Sequence, residues 1–176
     1  MENAFQDPSA ITLASFTAPS PYLEDAVQVY LATWPGDLEK VRAFVARYAT
    51  YPDFRGQVAL VQNRVIGMGF GHRSQAGNWW HDRVATRLGG EHPALQDAWV
   101  LVELAVLHEY RSRGVGHALH QTLLRNQPCP RTLLSTEVSN TGARRFYERL
   151  GWDYVLTNFQ FSEGDQPFVV MSRPAS

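Results

Sequence analysis

Two glycines separated by one residue, with arginines in front of them, form a segment of the chain that could bind an anion. Segment 111–116 has the sequence Arg-Ser-Arg-Gly-Val-Gly and lies between a predicted strand and a predicted helix. Gly114 and Gly116 let backbone N–H groups approach a ligand without a Cβ in the way. Amides and the dipole at a helix N-terminus favour an anion such as pyrophosphate. Taken alone, this segment is explained at least as well as a tight turn with solvated arginines.

A second segment that could carry chemistry follows the next predicted strand. It begins at Asn140, a good helix cap, and has the sequence NTGARRFYERLGW. The small residue Ala143 permits a ligand to come close, and Tyr147 places a phenol on the same side of the helix. Helical spacing puts four residues on that face: Ala143, Phe146, Tyr147 and Leu150.

The strand predicted at 99–107, WVLVELAVL, is apolar except for Glu103. Burial raises the pKa of a carboxyl group toward the neutral range, which a general base needs. A strand-end carboxylate paired with a neighbouring arginine explains Glu103 equally well, so both interpretations stay open.

A tryptophan-rich insert at about 72–98 fits the pattern of elements least well, although a short helix is predicted at 78–88. Trp79 and Trp80 are packing residues more often than ligand contacts, yet an aromatic wall over a bound amine is an alternative. His81 could contact the same acceptor.

His81 and its neighbour Asp82 also compete with Glu103 for the role of base. On a helix, adjacent side chains point about 100° apart. His81, Asp82 and His92 do not have the spacing of metal ligands, so we expect no metal site.

The order of predicted elements indicates an α/β fold with a mixed central sheet of about seven strands, flanked by about four helices. Residues 1–176 are predicted to form one domain, because no clean boundary interrupts the pattern. The predicted elements, in chain order, are a strand at 11–17, a helix starting at Ser20-Pro21, a helix capped by Asp37, strands at 57–62 and 65–71 joined at Asn63-Arg64, the insert, a strand at 99–107, a helix at 114–126, a strand at 131–137, a helix at 141–150 ended by Gly151, and strands at 152–161 and 167–173.

Composition argues against several classes of protein. A formal net charge of -1 lacks the basic surplus of a general nucleic-acid or anionic-membrane binder. The lone cysteine, Cys129, lies in a predicted loop and suits a reducing compartment. The segment Met1–Ala10 lacks the residue order of a signal peptide, and no apolar run approaches a membrane span. We therefore expect a cytoplasmic protein with no nucleic-acid or membrane partner.

Together, the two segments resemble the acetyl-coenzyme A motifs of the GNAT (GCN5-related N-acetyltransferase) superfamily. Arg111-x-x-Gly114-x-Gly116 is similar to its pyrophosphate loop, and Asn140-x-x-Ala143-x-x-Phe146-Tyr147-x-x-Leu150-Gly151-Trp152 is similar to its second motif. The resemblance covers about residues 99–155. Two departures are His108, where many members have proline, and Ser112, where many have glycine.

The resemblance implies a GNAT-like sheet splayed between the fourth and fifth strands, with the pantetheine arm of acetyl-CoA in the gap. Acetyl-CoA is then the co-substrate, and no metal is needed. The implied cofactor-binding residues are Leu104, Ala105, Val106, Arg111, Ser112, Arg113, Gly114, Val115, Gly116, His117, Asn140, Ala143 and Phe146.

The resemblance also implies direct attack of an amine on the thioester through a tetrahedral intermediate. Tyr147 matches the family's proton donor to the leaving thiolate, although a core tyrosine is the alternative. Glu103 is the candidate base, directly or through water. The acceptor is a small-molecule or peptide amine whose identity stays open, as do the acyl-chain preference and a homodimeric state.

Two other classes of protein fit the sequence less well than an enzyme of this kind. A dinucleotide-binding oxidoreductase needs a third glycine where this chain has Leu119. A GNAT-fold sensor that binds acyl-CoA without turnover has no need of a thiol acid, so Tyr147 favours the enzyme.

Overall fold

The computed structural model describes residues 10–175. Its strands are β1 Thr12–Phe16, β2 Arg55–Val61, β3 Arg64–Arg73, β4 Ala98–Val106, β5 Arg131–Glu137, β6 Asp153–Phe159 and β7 Phe168–Pro174. Its α-helices are α1 Leu23–Thr33, α2 Leu38–Tyr48, α3 Trp79–Leu88, α4 Val115–Leu124 and α5 Thr141–Arg149, and short 3₁₀ turns lie at Pro93–Leu95 and His108–Tyr110.

The strands form a seven-stranded sheet in the order β1-β2-β3-β4-β5-β7-β6. Strands β4 and β5 pair in parallel, whereas the pairs β1–β2, β2–β3, β5–β7 and β6–β7 are antiparallel. The predicted α/β class with a mixed sheet is thus confirmed, with five helices once α3 of the insert is included. The parallel register runs from Ala98 opposite Arg131 to Val100 opposite Leu133, which is consistent with a splay farther along β4.

The chain falls into two compact units. Unit 1 comprises the residues up to Gly71 together with Glu103–Arg125, and unit 2 comprises His72–Val102 and the residues from Asn126 onward. Strands β3 and β4 each contribute residues to both units.

In unit 1, α4 packs against β2 and β3 through a cluster of buried residues. A Cβ at Gly69 would lie 2.8 Å from Leu123 Cδ1 and 3.0 Å from the Glu103 carbonyl oxygen, so only glycine lets the helix come this close. The buried cluster contains Ala59, Ile66, Val115 and Leu119.

Aromatic rings form the other part of the unit 1 core. Phe70 on β3 is fully buried, and its ring centroid lies 6.0 Å from that of Phe44 and 5.9 Å from that of Phe54. Phe16 of β1 meets Phe70 edge to face at 6.4 Å. Helix α2 therefore contacts β3 through edge-to-face and tilted ring pairs, beside the buried aliphatic residues Val41 and Val45.

In unit 2, α3 packs over β5, β6 and β7. Its buried cluster includes Val84 of α3, Val100 of β4, Leu133 of β5 and Val170 of β7. The insert is tied to the start of β4, because the Ser74 amide donates to the Ala98 carbonyl at 2.8 Å.

Several predicted boundaries are confirmed by their capping contacts. Asp37 accepts a hydrogen bond from the Lys40 amide at 2.9 Å and caps α2. The predicted start of α1, with Ser20 as the cap and Pro21 as the first helical residue, was two residues too early. Helix α1 begins at Leu23, because Ser20 and Pro21 form a separate turn closed by the Leu23 amide at 3.2 Å.

The hairpin between β2 and β3 turns at Gln62-Asn63, one residue before the predicted position. Both residues have positive φ, 50° and 63°, which is the geometry of a two-residue hairpin turn. Among the described residues, no helix combines the length and the apolar character that a membrane span requires. The prediction about a signal peptide concerns Met1–Ala10, of which residues 1–9 lie outside the described part of the chain.

Candidate active site

The loop between β4 and α4 is held by hydrogen bonds from Arg111. Its backbone N–H donates to the His108 carbonyl at 3.2 Å, and its Nε donates to the Val106 carbonyl at 3.0 Å. Ser112 has φ 58° and Gly114 has φ 81°, so the loop twice takes a left-handed conformation. That geometry explains why glycine suits position 112 and shows that Ser112 does not abolish the turn.

Helix α4 begins at Val115 with an uncapped N-terminus. Gly114 stands at the capping position and offers no side-chain acceptor, while its carbonyl receives the Ala118 amide at 3.0 Å. The first amides of a helix, here those of Val115, Gly116 and His117, have no partner within the helix itself. A Cβ at Gly114 would meet no described atom within 4 Å, so the space beside Gly114 is open.

Positive charge lies next to that open space. The guanidinium of exposed Arg113 lies 5.8 Å from the centre of the Tyr110 ring, and that of Arg64 lies at the same distance from it. Arg64 also pairs with Glu109 at 3.3 Å. Uncapped amides, a helix dipole and nearby guanidinium groups fit a pyrophosphate.

The pleat of β4 separates the side chains that face α4 from those that face away. Leu104 and Val106 pack against the α4 cluster, together with Leu107. Because successive side chains of a strand alternate, Glu103 and the buried Ala105 point to the opposite face of the sheet. That is the face on which Phe70 contacts α2.

Glu103 is half-buried, and burial of its carboxyl group raises its pKa to about 8. Two tyrosines lie close enough to feel its charge. Burial, and then the charge of Glu103, raise the pKa of Tyr30 to about 12. Burial also raises the pKa of Tyr48, with a smaller contribution from Glu103. Sequence reasoning missed both tyrosines, although each lies on the apolar face of a predicted helix.

In unit 2, Asn140 caps α5, since its Oδ1 accepts a hydrogen bond from the Ala143 amide at 3.1 Å. Ala143 and Phe146 are half-buried on this helix, and Tyr147 is buried. The Tyr147 ring meets Phe146 edge to face at 5.2 Å and Trp152 edge to face at 5.7 Å. The ring is therefore fixed by aromatic neighbours on two sides.

The tryptophans of the insert have packing partners within unit 2. Trp79 is 53% exposed, stacks on Phe161 at 5.1 Å, and carries Arg83 over its ring at 5.8 Å. The indole N–H of Trp80 donates to Ser135 Oγ at 2.9 Å. An acceptor role for these two residues stays a prediction.

His81 is buried, and its Nδ1 lies 2.9 Å from Ser74 Oγ. Burial lowers the pKa of His81, and the charge of Asp82 works in the opposite direction. The Asp82 carboxylate accepts a hydrogen bond from the Gly77 amide at 3.0 Å. Within residues 10–175, no group of three or more His, Cys, Asp or Glu is placed to hold a metal ion.

The predicted site residues thus fall into two groups. Unit 1 carries Glu103 to Val106 and the loop from Arg111 to His117, and unit 2 carries Asn140, Ala143, Phe146 and Tyr147. The first group lies on β4 and at the start of α4, and the second lies at the cap of α5 and along that helix. Their roles stay predictions.

Comparison with known proteins identifies the family of this chain. The model of the acetyltransferase (GNAT) family matches residues 23–152, so the chain belongs to that family. It is 29% identical over 119 residues to the GCN5-like protein acetyltransferase Rv2170 of Mycobacterium tuberculosis. That alignment covers 62% of this chain and 58% of the relative, so the chain matches little more than half of the relative's length.

Two solved structures illustrate the likeness of the fold. The ribosomal-protein-S18-alanine N-acetyltransferase of Escherichia coli has a TM-score of 0.66 at 15% identity, over 95% of each chain. An aminoglycoside 6'-N-acetyltransferase in complex with coenzyme A has a TM-score of 0.67 at 18% identity, over 94% of this chain and 97% of that one. At such identities the likeness concerns the fold alone.

Proposed function

We propose that this protein is an N-acetyltransferase that moves the acetyl group of acetyl-CoA to a primary amine. The observation that carries the proposal is the α4 N-terminus, where the Gly114 turn leaves the amides of Val115, Gly116 and His117 without a side-chain cap, beside Arg113. Such a turn suits the pyrophosphate of a coenzyme. Coenzyme A in the related aminoglycoside enzyme supports the same choice.

In the proposal, acetyl-CoA supplies the acetyl group as a thioester. The β4 backbone from Leu104 to Val106 would bind the pantetheine arm, and Arg111 to His117 would bind the pyrophosphate. Asn140, Ala143 and Phe146 complete the proposed set on α5. The short parallel register between β4 and β5 supports a binding place along β4.

Glu103 takes the proton in the proposed reaction. An alkyl ammonium has a pKa of about 10.4 and must be deprotonated before its nitrogen can attack. A carboxyl with a pKa of about 8 accepts that proton more readily than an ordinary glutamate, whose pKa is 4.5. The amine nitrogen then forms a C–N bond to the thioester carbon, which gives a tetrahedral intermediate, and collapse of that intermediate breaks the C–S bond.

Tyr147 gives a proton to the departing sulfur. A thiol has a pKa of about 8.5 and a phenol about 10, so the transfer needs the phenol held in place rather than a strong acid. The edge-to-face contacts with Phe146 and Trp152 provide that positioning. The proposal treats residues 1–176 as one catalytic domain that works in the cytoplasm.

The test is release of free CoA thiol from acetyl-CoA, measured across a panel of amines and short peptides. Steady release that depends on an amine supports the proposal. Tight binding of acetyl-CoA without release in any mixture would instead indicate a sensor.

A further inference from the structure

Arg144, Tyr154 and Glu148 form a chain of hydrogen bonds in unit 2 that links α5 to β6. The Nε of Arg144 donates to the Tyr154 hydroxyl at 3.1 Å, and that hydroxyl donates to a carboxylate oxygen of Glu148. The Arg144 guanidinium also lies over the Tyr154 ring, 5.5 Å from its centre. The Tyr154 hydroxyl thus acts both as an acceptor and as a donor. These three residues are called the Arg144 network below.

A second contact of Arg144 reaches the connection between β5 and α5. Its Nη1 donates to the Val138 carbonyl at 3.0 Å, while the Val138 N–H donates to the Pro167 carbonyl at 2.9 Å. Val138 lies two residues before Asn140, whose side chain caps α5. The connection that leads to the cap is therefore held by α5 on one side and by the residue before β7 on the other.

Tyr154 gives the Arg144 network a fixed point in the sheet. Its backbone on β6 lies opposite the buried Met171 of β7, which in turn lies opposite Leu134 of β5. Arg144 itself is half-buried. Because a planar guanidinium presents its N–H groups in a fixed fork, its bonds to Tyr154 and to the Val138 carbonyl together fix its orientation.

Arg144 directly follows Ala143, one of the proposed cofactor-binding residues of α5. Successive side chains of a helix point about 100° apart, so Arg144 does not lie on the face that carries Ala143 and Tyr147. Its effect on that face passes through the backbone that it holds. Tyr147 is fixed independently, through its ring contacts with Phe146 and Trp152.

We infer that Arg144 is a positioning residue for acetyl-CoA binding. Its guanidinium holds the connection before α5, so that Asn140 and Ala143 stay where the cofactor needs them, and Tyr154 with Glu148 holds the guanidinium. This inference rests on the proposed function. It assigns the Arg144 network to cofactor affinity and leaves proton transfer to Tyr147.

Arg144→Met tests the inference, because methionine has a long flexible side chain without hydrogen-bond donors. The Kd for acetyl-CoA, measured by calorimetry, should rise about three- to tenfold, the range expected for loss of a hydrogen bond or two. The kcat for thiol release at saturating acetyl-CoA should stay within about twofold of the parent value. Arg149→Met is the matched control, because this exposed arginine lies in the last turn of the same helix, and it should change neither constant.

Tyr154→Phe keeps the ring under the guanidinium and removes only the hydroxyl. The Kd should rise in the same direction but by less, about two- to threefold, because the bond from Arg144 to the Val138 carbonyl remains. Added to Arg144→Met, the Tyr154→Phe change should raise the Kd little further, since its effect passes through Arg144. Arg144→Lys keeps the charge without the fork, so its Kd should lie between those of the parent and Arg144→Met.

The salt dependence separates positioning from direct contact with the anionic cofactor. The ratio of the Kd values of Arg144→Met and the parent should be the same at low and at high salt, because the bonds lost are within the protein. Salt screens a contact between an exposed guanidinium and a phosphate. A ratio that falls toward one at high salt would show that Arg144 binds a phosphate directly, and would overturn the inference.

The remaining outcomes also decide the question, with each variant measured at a temperature where its melting curve shows it folded. An unchanged Kd in Arg144→Met would refute the inference and leave the proposed function intact. If Arg144→Met does not fold, an unchanged Kd in Tyr154→Phe would refute it equally. A kcat lowered tenfold with an unchanged Kd would show that Arg144 acts on Tyr147 instead. A parent protein that does not bind acetyl-CoA would refute the proposed function and this inference together.

Discussion

The Trp152 backbone N–H donates to the Tyr147 carbonyl at 3.1 Å, and the rings of the same two residues meet edge to face at 5.7 Å. Gly151, between the helix end and Trp152, has φ 78°, and its N–H donates to the Glu148 carbonyl at 3.1 Å. These are the paired hydrogen bonds of a Schellman ending. The helix ending therefore brings Trp152 back onto Tyr147 and fixes the phenol that we propose as the proton donor.

Tyr147→Phe should lower kcat by about 10²–10⁴, the usual range for loss of a general acid. The ring contacts with Phe146 and Trp152 do not involve the hydroxyl, so acetyl-CoA affinity and thermal stability should stay near the parent values. Steady-state kinetics and a melting curve check both parts. A kcat within twofold of the parent would show that water protonates the thiolate and that Tyr147 is structural.

The pH dependence of the rate should report Glu103. Its carboxylate form is the base, so the fraction of active enzyme rises as pH passes through its pKa of about 8. Glu103→Gln should lower kcat and remove that limb of the profile without weakening acetyl-CoA binding. If the rise of the rate with pH is kept in Glu103→Gln and is lost in His81→Ala, the general base is His81 of the insert and not Glu103.

Glu103 should also make stability depend on pH. Its pKa in the folded protein, about 8, lies above the ordinary value of 4.5, so the folded state holds a proton that the unfolded chain releases. The contribution to stability is complete below pH 4.5 and is lost as pH rises through about 8. The free energy of unfolding should therefore fall with pH by at most about 1.4 kcal/mol per pH unit.

Denaturant titrations of the parent and Glu103→Gln between pH 5 and pH 9 measure this effect. We expect the variant to gain stability relative to the parent as pH rises, because glutamine carries no charge to bury. The exposed Glu163→Gln is the control and should show no such trend. If the free energy of unfolding changes with pH in the same way in Glu103→Gln and the parent, the Glu103 carboxyl group is solvated in the folded protein.

Features encoded within a few residues were predictable from the sequence. Asp37 and Asn140 cap helices because a short polar side chain reaches an amide three residues ahead, and Gly151 ends α5 because glycine takes positive φ at no cost. The turn from Arg111 to Gly116, which we propose as the pyrophosphate site, was predictable for the same reason, since the residues that make it are adjacent. Nothing beyond local chemistry was needed for these elements.

Relationships between distant elements were not predictable. Tyr30 and Tyr48 come to Glu103 only because α1 and α2 pack on one face of the sheet, and no local pattern identifies which face that is. Likewise, nothing near Trp80 in the sequence indicates that its indole N–H would find Ser135 on β5. The start of α1 was misplaced because Ser20-Pro21 is equally compatible with a helix cap and a turn.

Gly114→Asp should weaken acetyl-CoA binding strongly, because it places a negative charge in the proposed pyrophosphate space. It also strains the backbone, since Gly114 has φ 81°. Gly164→Asp is a matched control, because that glycine has φ 86° and equally open surroundings in the turn before β7. Both variants should lose similar stability, and calorimetry should find lost affinity in Gly114→Asp alone.

Gly116→Val adds a variant that does not depend on positive φ. Its branched side chain would stand in the first turn of α4 beside the amides, so affinity should fall while the helix persists. An unchanged affinity for acetyl-CoA in the folded Gly116→Val protein would remove this loop from the binding site.

Trp80→Ala separates packing from substrate contact in the insert. Trp80 is partly buried against the unit 2 core and bonded to Ser135, so its loss should destabilise the protein by about 2–3 kcal/mol, below the roughly 3–5 kcal/mol of a fully buried tryptophan. Ser135→Ala removes the same hydrogen bond without opening a cavity and should cost about 1 kcal/mol. Trp79→Ala, at a site that is 53% exposed, should destabilise the protein less than Trp80→Ala.

If Trp80 also contacts the acceptor, Trp80→Ala will raise the acceptor KM at a temperature where the variant is fully folded, and Ser135→Ala will not. Equal KM values in the parent and both variants would show that Trp80 supports the fold and takes no part in binding the amine.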